Sequence, residues 1–179
     1  NDVVLRVTTD SAQYSNYNNS QMNIKVSKAE ENGTVYTFQT DIMYTYKSQD
    51  ALVHQLFFGD IHAPSINVKT KKGGVSILGA DQKEIVSGVI PYDEWVSLRF
   101  VLIAPVDNNN AENYVLHIYV KSSATGGEFK KQCSITSYTN GTLSGMKTAF
   151  DTFYIYSYAS GGKGEYYLDN ISFTRTVEP

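Results

Sequence analysis

Three tyrosines at alternate positions, Tyr154, Tyr156 and Tyr158, are the residues of this sequence whose chemistry can be read most directly. Alternate residues of a strand project to the same face, so the three rings would form a row on one side of a sheet. A sugar ring has C–H patches on its faces and hydroxyls around its rim, and a site for it needs flat aromatic platforms. The row therefore predicts a carbohydrate-binding surface. The alternative is that Tyr is simply favourable on a half-buried strand.

Polar side chains that could bind sugar hydroxyls occupy outward positions on other predicted strands. Each of these strands alternates polar residues with apolar ones, which we assign to the core. Between them, Gln, Asp, Arg and His side chains offer both the donors and the acceptors that a glycan rim requires. The predicted ligand-binding set therefore extends beyond the tyrosine row to Tyr119, Trp95, Asp41, Arg99, His117 and Gln39.

The cysteine and the histidines do not form a recognisable catalytic or metal motif. Cys133 is the single cysteine, so an internal disulfide and a CxxC metal site are both excluded, and an inert buried thiol is expected. His54, His62 and His117 lack metal-ligand spacing, and the sequence has no Gly-x-Ser-x-Gly elbow. These motifs therefore give no support for an enzyme.

Short segments with period-two alternation cover most of the chain, and they are the elements that must position these side chains. Turn dipeptides such as Asn32-Gly33 and Gly126-Gly127 separate them. Helix signals are weak, with at most one turn at 27–31. The pattern predicts an all-β, antiparallel two-sheet sandwich. Its predicted strands are 4–7, 22–26, 36–46, 53–58, 66–70, 75–78, 95–104, 114–121, 153–158 and 166–174.

The parity of each predicted strand indicates which side chains form the core. On the segment 36–46 the inward residues are Phe38, Thr40 and Ile42. The remaining inward residues are predicted to be Val96, Leu98, Phe100, Leu102, Tyr114, Leu116, Ile118, Val120, Phe153 and Ile155.

Composition limits the classes of partner. The 179 residues carry 15 basic and 18 acidic side chains, a net charge of −3, which argues against nucleic acid. No apolar run approaches the roughly 20 residues of a membrane span.

The length predicts a single domain over 1–179. The chain opens at Asn1-Asp2 and closes on Val177-Glu178-Pro179. We therefore expect a monomeric module of a longer, secreted or cell-surface chain, attached to other domains.

Several segments, in their order along the chain, resemble a known family. They are Tyr36-Thr37-Phe38-Gln39-Thr40-Asp41-Ile42-Met43-Tyr44, then Asp93-Glu94-Trp95-Val96-Ser97-Leu98-Arg99-Phe100, then 114–120, then Tyr166-Tyr167-Leu168-Asp169-Asn170-Ile171. They look like concanavalin A-like (laminin G-like) jelly rolls, found as carbohydrate-binding modules of secreted bacterial proteins that degrade polysaccharides. The last segment also occurs in galactose-binding-like jelly rolls. The resemblance covers about residues 3–176.

This resemblance implies a function and two site details. It implies non-catalytic binding of an extracellular polysaccharide that brings a larger protein to its substrate. In some relatives a carboxylate at the position of Asp169 helps to hold a structural calcium, whereas a bond from this Asp to backbone N–H groups is the simpler alternative. In laminin G-like folds a Trp at the position of Trp95 often packs across the end of the sandwich.

Enzymes of two classes share this shape, and their catalytic residues can be compared with this sequence. Glycoside hydrolases of this shape use two close carboxylates, whereas the equivalent strand here has only Asp41. Lyases of this shape use an Arg, a Gln-x-His element and a catalytic Tyr, whereas this chain has His54-Gln55 without Gln-x-His. We therefore expect no enzyme activity. The alternatives are a structural or adhesive module that binds a protein surface, and a glycoside hydrolase or polysaccharide lyase.

Overall fold

The structure, a computed structural model, describes residues 4–10, 20–25, 34–47, 50–58, 66–79, 81–103, 115–136, 152–160 and 163–177. These residues form twelve strands. They are β1 (Leu5–Asp10), β2 (Ser20–Lys25), β3 (Thr34–Thr45), β4 (Ala51–Phe58), β5 (Ile66–Lys71), β6 (Gly74–Gly79), β7 (Glu84–Val86), β8 (Val96–Ile103), β9 (Val115–Lys121), β10 (Lys130–Thr136), β11 (Thr152–Ser160) and β12 (Lys163–Val177).

The strands form two six-stranded sheets in which every pairing is antiparallel. The first sheet has the order β1-β12-β3-β8-β9-β10, and the second has the order β2-β11-β4-β5-β6-β7. The predicted fold class, an antiparallel two-sheet sandwich, is confirmed. A 3-10 turn at Ser123–Thr125 is the one helical feature of the described residues, and none of their helices could span a membrane.

The core lies between the sheets and follows the predicted parity. Burial alternates along β3, β8 and β9, so that Phe38, Ile42 and Phe100 are all buried. The second sheet contributes Val68 and Ile77, which face them across the sandwich. Two further predictions, the core residue Tyr114 and the helical turn at 27–31, lie outside the described residues, as do the side chains of Phe153 and Ile155.

Two local features of the strands help to position outward side chains. The hairpin between β5 and β6 turns at Lys72-Gly73, and Gly73 has a φ of 103°, which suits glycine. A bulge interrupts the pairing of β12 with β3 between Asp169 and Ser172. Asn170 lies in this bulge with a φ of 48°, a left-handed conformation that Asn tolerates better than most residues.

Candidate functional site

The outward residues of β3 and β8 form paired contacts on the first sheet. Gln39 lies opposite Arg99 in the register, and the Arg99 Nε donates a hydrogen bond to the Gln39 Oε1 over 2.8 Å. The Arg99 guanidinium also lies 3.8 Å from the centroid of the Phe129 ring. Both Gln39 and Arg99 are half-buried. The sequence analysis did not assign a role to Phe129, which follows the Gly126-Gly127 turn and precedes β10.

Asp41 is held by neighbours on both sides of β3. Its Oδ1 accepts a hydrogen bond from the Ser97 Oγ over 2.5 Å, and its Oδ2 accepts one from the Asn170 Nδ2 over 2.7 Å. Asp169 lies directly opposite Asp41 in the register. The Asn170 amide therefore helps to offset the repulsion of two carboxylates on one face.

The calcium site expected at Asp169 stays a prediction. The Asp169 Oδ1 accepts a hydrogen bond from the backbone N–H of Asn170 over 2.7 Å, which is the simpler alternative considered from the sequence. The described residues contain no group of three or more His, Cys, Asp or Glu side chains that could hold a metal ion. Calcium takes six to eight oxygen ligands, which include backbone and amide oxygens, so the lack of such a group does not test the prediction.

His117 and Tyr119 lie on β9, at the end of the same outward face. Their rings meet edge to face with centroids 6.4 Å apart, and the His117 Nδ1 lies 2.8 Å from the Ser134 Oγ. Burial lowers the pKa of His117, and the positive charge of Lys131 lowers it further. His117 is therefore a neutral hydrogen-bonding group near neutral pH.

Trp95 stands apart from these residues. It precedes β8, and its side chain is 43% exposed. The structure therefore does not bury it across the end of the sandwich, and its exposed ring keeps it available as a ligand contact.

The tyrosine row lies on the other sheet. Tyr154, Tyr156 and Tyr158 belong to β11 in the second sheet, and their side chains lie outside the described part of the structure. In the backbone register, Tyr156 is opposite Gln55 of β4 on one side and Gln21 of β2 on the other. The predicted set is thus divided between two sheets, because parity shows a side chain's direction but not the sheet to which its strand belongs.

Gln55, Asn67 and Lys69 are candidate site residues that the sequence analysis missed. Gln55 lies opposite Asn67 in the register, and its Nε2 donates a hydrogen bond to the Asn67 Oδ1 over 2.6 Å. The Asn67 Nδ2 donates to the Gly79 carbonyl oxygen over 3.2 Å. The side chain of Asn67 is fully buried, and its bond to the half-buried Gln55 holds the Gln55 amide in place. Lys69 is the next outward residue of β5 and forms no ion pair with another described residue. The sequence does contain a signal for Asn67 and Lys69, because these polar residues alternate with the apolar Ile66 and Val68.

His54 lies on the opposite side of β4 and belongs to the core. It is 4% exposed, and its Nε2 lies 3.2 Å from the Tyr44 hydroxyl. Its Nδ1 has no hydrogen-bond partner among the described residues, and His54 lines a small cavity between the sheets. Burial lowers its pKa to about 3. His54 therefore cannot act as a base on the outer face of the second sheet.

Comparison with known proteins finds a similar fold in solved structures of alginate lyases. No family model and no curated protein matches the sequence. Among solved structures, alginate lyase AlyC3 in complex with dimannuronate has 11% identity and a TM-score of 0.59, over 99% of this chain and 76% of that one. A variant of alginate lyase Aly36B with an alginate trisaccharide has 16% identity and a TM-score of 0.59, over 97% and 82%. A substrate complex of the family 7 alginate lyase A1-II' has 11% identity and a TM-score of 0.59, over 98% and 78%.

These neighbours correct one prediction and support another in part. The prediction that the chain is not an enzyme is contradicted, because all three neighbours are lyases. It rested on missing motifs, and a motif search cannot detect a site whose residues come from separate strands. The jelly-roll resemblance stands at the level of the fold, whereas the neighbours are enzymes and not carbohydrate-binding modules. Their complexes with oligosaccharides agree with the predicted interaction with a polysaccharide.

Proposed function

We propose that this protein is a polysaccharide lyase that cleaves a uronic-acid polysaccharide on the outer face of its second sheet. The observation that carries the proposal is one row of positions across four neighbouring strands. In the register, Gln21, Tyr156, Gln55 and Asn67 follow one another on β2, β11, β4 and β5. Positions directly opposite one another in an antiparallel sheet share a face. Similarity in fold to three alginate lyases supports the same conclusion.

The proposed reaction is a β-elimination that uses water neither as a nucleophile nor as a product. A base removes the proton at C5, next to the uronate carboxylate. The electron pair of that C–H bond forms the C4=C5 double bond, and the bond between C4 and the glycosidic oxygen breaks. The leaving oxygen takes up a proton, so the products are a new non-reducing end that is unsaturated and an ordinary reducing end.

The proposal assigns a separate role to each type of group. The free amide N–H of Gln55 would bind the uronate carboxylate and stabilise the negative charge that builds up on it as the C5 proton leaves. The bond to Asn67 fixes the Gln55 side chain and leaves its second Nε2 hydrogen and its Oε1 for substrate. Lys69 would add a positive charge for the same carboxylate.

Proton transfer falls to tyrosine in this proposal. The chain has no Gln-x-His element, and the segment that begins at Gln55 reads Gln55-Leu56-Phe57, with Phe where such an element would have its His. His54 is buried in the core and faces away. Tyr156 lies next to Gln55 in the row, and its hydroxyl is our candidate for the group that exchanges protons with the substrate.

The location of the substrate bears on where the protein works. A uronic-acid polysaccharide is an extracellular polymer that is too large to cross a membrane. We therefore propose that the protein is secreted or held at the cell surface.

The test is an assay for unsaturated uronate on alginate and on other uronic-acid polysaccharides, followed by ultraviolet absorbance. Wild type should release the unsaturated product. Tyr156→Phe removes only the hydroxyl oxygen, and it should lower kcat by about 10²–10⁴-fold, the usual contribution of general acid–base catalysis. Gln55→Ala should lower kcat/KM, because it removes the group that stabilises the charged carboxylate.

The matched control is Tyr46→Phe, the same change just after the end of β3 and outside the row, which should leave kcat unchanged. Far-UV circular dichroism should show that all three variants are folded. Absence of unsaturated product from every uronic-acid polysaccharide would refute the proposal. Full activity of Tyr156→Phe would remove Tyr156 from it.

A further inference from the structure

A second row of outward residues crosses the first sheet, on the opposite side of the sandwich from the proposed catalytic face. In the register, Gln39, Arg99, Tyr119 and Lys131 follow one another on β3, β8, β9 and β10. Gln39, Arg99 and Tyr119 are half-buried, and Lys131 is exposed. Together with Phe129, these residues form what we call the basic face.

Arg99 is fixed before any ligand arrives. Its Nε is engaged by the Gln39 Oε1, and its guanidinium plane lies over the Phe129 ring at 3.8 Å from the centroid. A guanidinium carries five N–H donors, so four remain after the bond to Gln39. A cation held in place by stacking loses less conformational entropy on binding than a free side chain does.

The basic face and its border carry the cations Arg99, Lys121 and Lys131, and none of the three forms an ion pair with another described residue. Lys121 and Lys131 are exposed on this side of the sheet, whereas Lys130 lies opposite the buried Val120 in the register and belongs to the other side. The nearest carboxylate on the same strands, Asp41, already accepts hydrogen bonds from two neighbours. A surface with several unpaired cations attracts an anionic ligand.

The aromatic groups of this face specify the type of anion. Tyr119 is half-exposed and lies between Arg99 and Lys131 in the row. The His117 and Tyr119 rings pack edge to face. A simple inorganic anion needs no ring platform, whereas a charged sugar has carboxylates for the cations and C–H faces for the ring. The arrangement fits an acidic polysaccharide chain.

We propose that the basic face is a second, non-catalytic binding surface for an acidic polysaccharide. The two outer faces of the sandwich point in opposite directions, so one would hold the polymer while the other cleaves it. The choice of a uronic-acid chain rests on the proposed function, but the presence of a binding surface here does not.

The test maps the binding of a defined alginate oligosaccharide by NMR, because chemical shifts resolve the two faces. Wild type should show shift changes at the amides of Arg99, Tyr119 and Lys131. Arg99→Ala should weaken this binding about tenfold, which is the scale of one charged and stacked contact. Raising the salt concentration should weaken it as well, whereas a neutral cello-oligosaccharide should not bind. Lys72→Ala, which removes an exposed positive charge from the β5–β6 hairpin, is the matched control and should leave these shifts unchanged.

Lys131→Glu keeps the test decisive if Arg99→Ala fails to fold, because it reverses the charge of an exposed side chain. It should abolish the shifts on the basic face and leave cleavage of short soluble oligosaccharides at the wild-type rate. Shifts confined to the second sheet, or wild-type affinity at the basic face in Lys131→Glu, would overturn the inference. Binding here by a protein that cleaves no polysaccharide would refute the proposed function and leave this inference standing.

Discussion

At the scale of single residues, the buried imidazole of His54 makes the stability of the fold depend on pH. Its pKa is about 3 in the folded chain, against about 6.5 in an unfolded one, because burial penalises the charged ring. As pH falls from 6.5 towards 3, the His54 ring becomes protonated in the unfolded chain and stays neutral in the folded chain. The free energy of unfolding should therefore fall with pH across this window, by up to about 1.4 kcal/mol per pH unit.

His54→Gln isolates this effect. The Gln side chain can still bond to the Tyr44 hydroxyl but does not titrate. Chemical denaturation of wild type and variant at pH 7, 6, 5 and 4 should show a difference in unfolding free energy that shifts in favour of the variant as pH falls. Parallel curves for the two proteins would show that His54 is not buried in its neutral form.

At the scale of elements, Glu165 fastens the edge strand β1 to the rest of the first sheet. Its carboxylate is 8% exposed, and it accepts hydrogen bonds from the Arg6 guanidinium over 2.6 Å, the Lys47 ammonium over 3.0 Å and the Tyr167 hydroxyl over 3.0 Å. These bonds, Arg6 first, lower its pKa to about 2. The single carboxylate therefore links β1, the segment after β3 and β12.

Glu165→Gln should lower the free energy of unfolding by about 1–3 kcal/mol, the range for bonds to charged groups and buried polar atoms. Hydrogen exchange should rise first at the amides of β1, because this strand loses its charged anchor. Glu84→Gln is the matched control. The Glu84 carboxylate also has a pKa of about 2, held down first by Lys71, but it is 39% exposed, so its loss should cost at most about 1 kcal/mol. Equal losses in the two variants would contradict the role of burial.

For the strands, some features could be predicted from the sequence and others could not. The direction of each outward side chain on β3, β8 and β9 follows from alternation, because a two-residue period fixes the face. Two strands were missed: β7, because three residues are too few to show a period, and β10, because a bulge between Lys131 and Cys133 interrupts its alternation. Which strands share a sheet depends on long-range pairing, so the separation of Tyr156 from Arg99 could not be predicted. The bonded pair of Gln55 and Asn67 went unnoticed for the same reason, because it joins two strands.

At the scale of the whole molecule, the two faces share one core, and this predicts a single unfolding transition. Phe100 of the first sheet and Ile77 of the second belong to the same buried cluster. A sandwich whose two sheets bury the same apolar surface cannot keep one sheet folded without the other. Phe100→Ala should therefore lower the free energy of unfolding by about 3–5 kcal/mol through the cavity it leaves. The transition should remain single.

Two probes measure this cooperativity independently. The fluorescence of Trp95, the only tryptophan, reports on the first sheet beside β8, whereas far-UV circular dichroism reports on the strands of both sheets. Their denaturation curves should coincide in wild type and in Phe100→Ala. Val101→Ala, on the half-exposed outer side of the same strand, is the matched control, and its cost should be well below that of Phe100→Ala because it leaves no cavity in the core. Separate midpoints for the two probes would show that the sheets unfold independently. The catalytic and basic faces would then not be rigidly coupled, and the proposal that one face holds a polymer for the other would lose its structural basis.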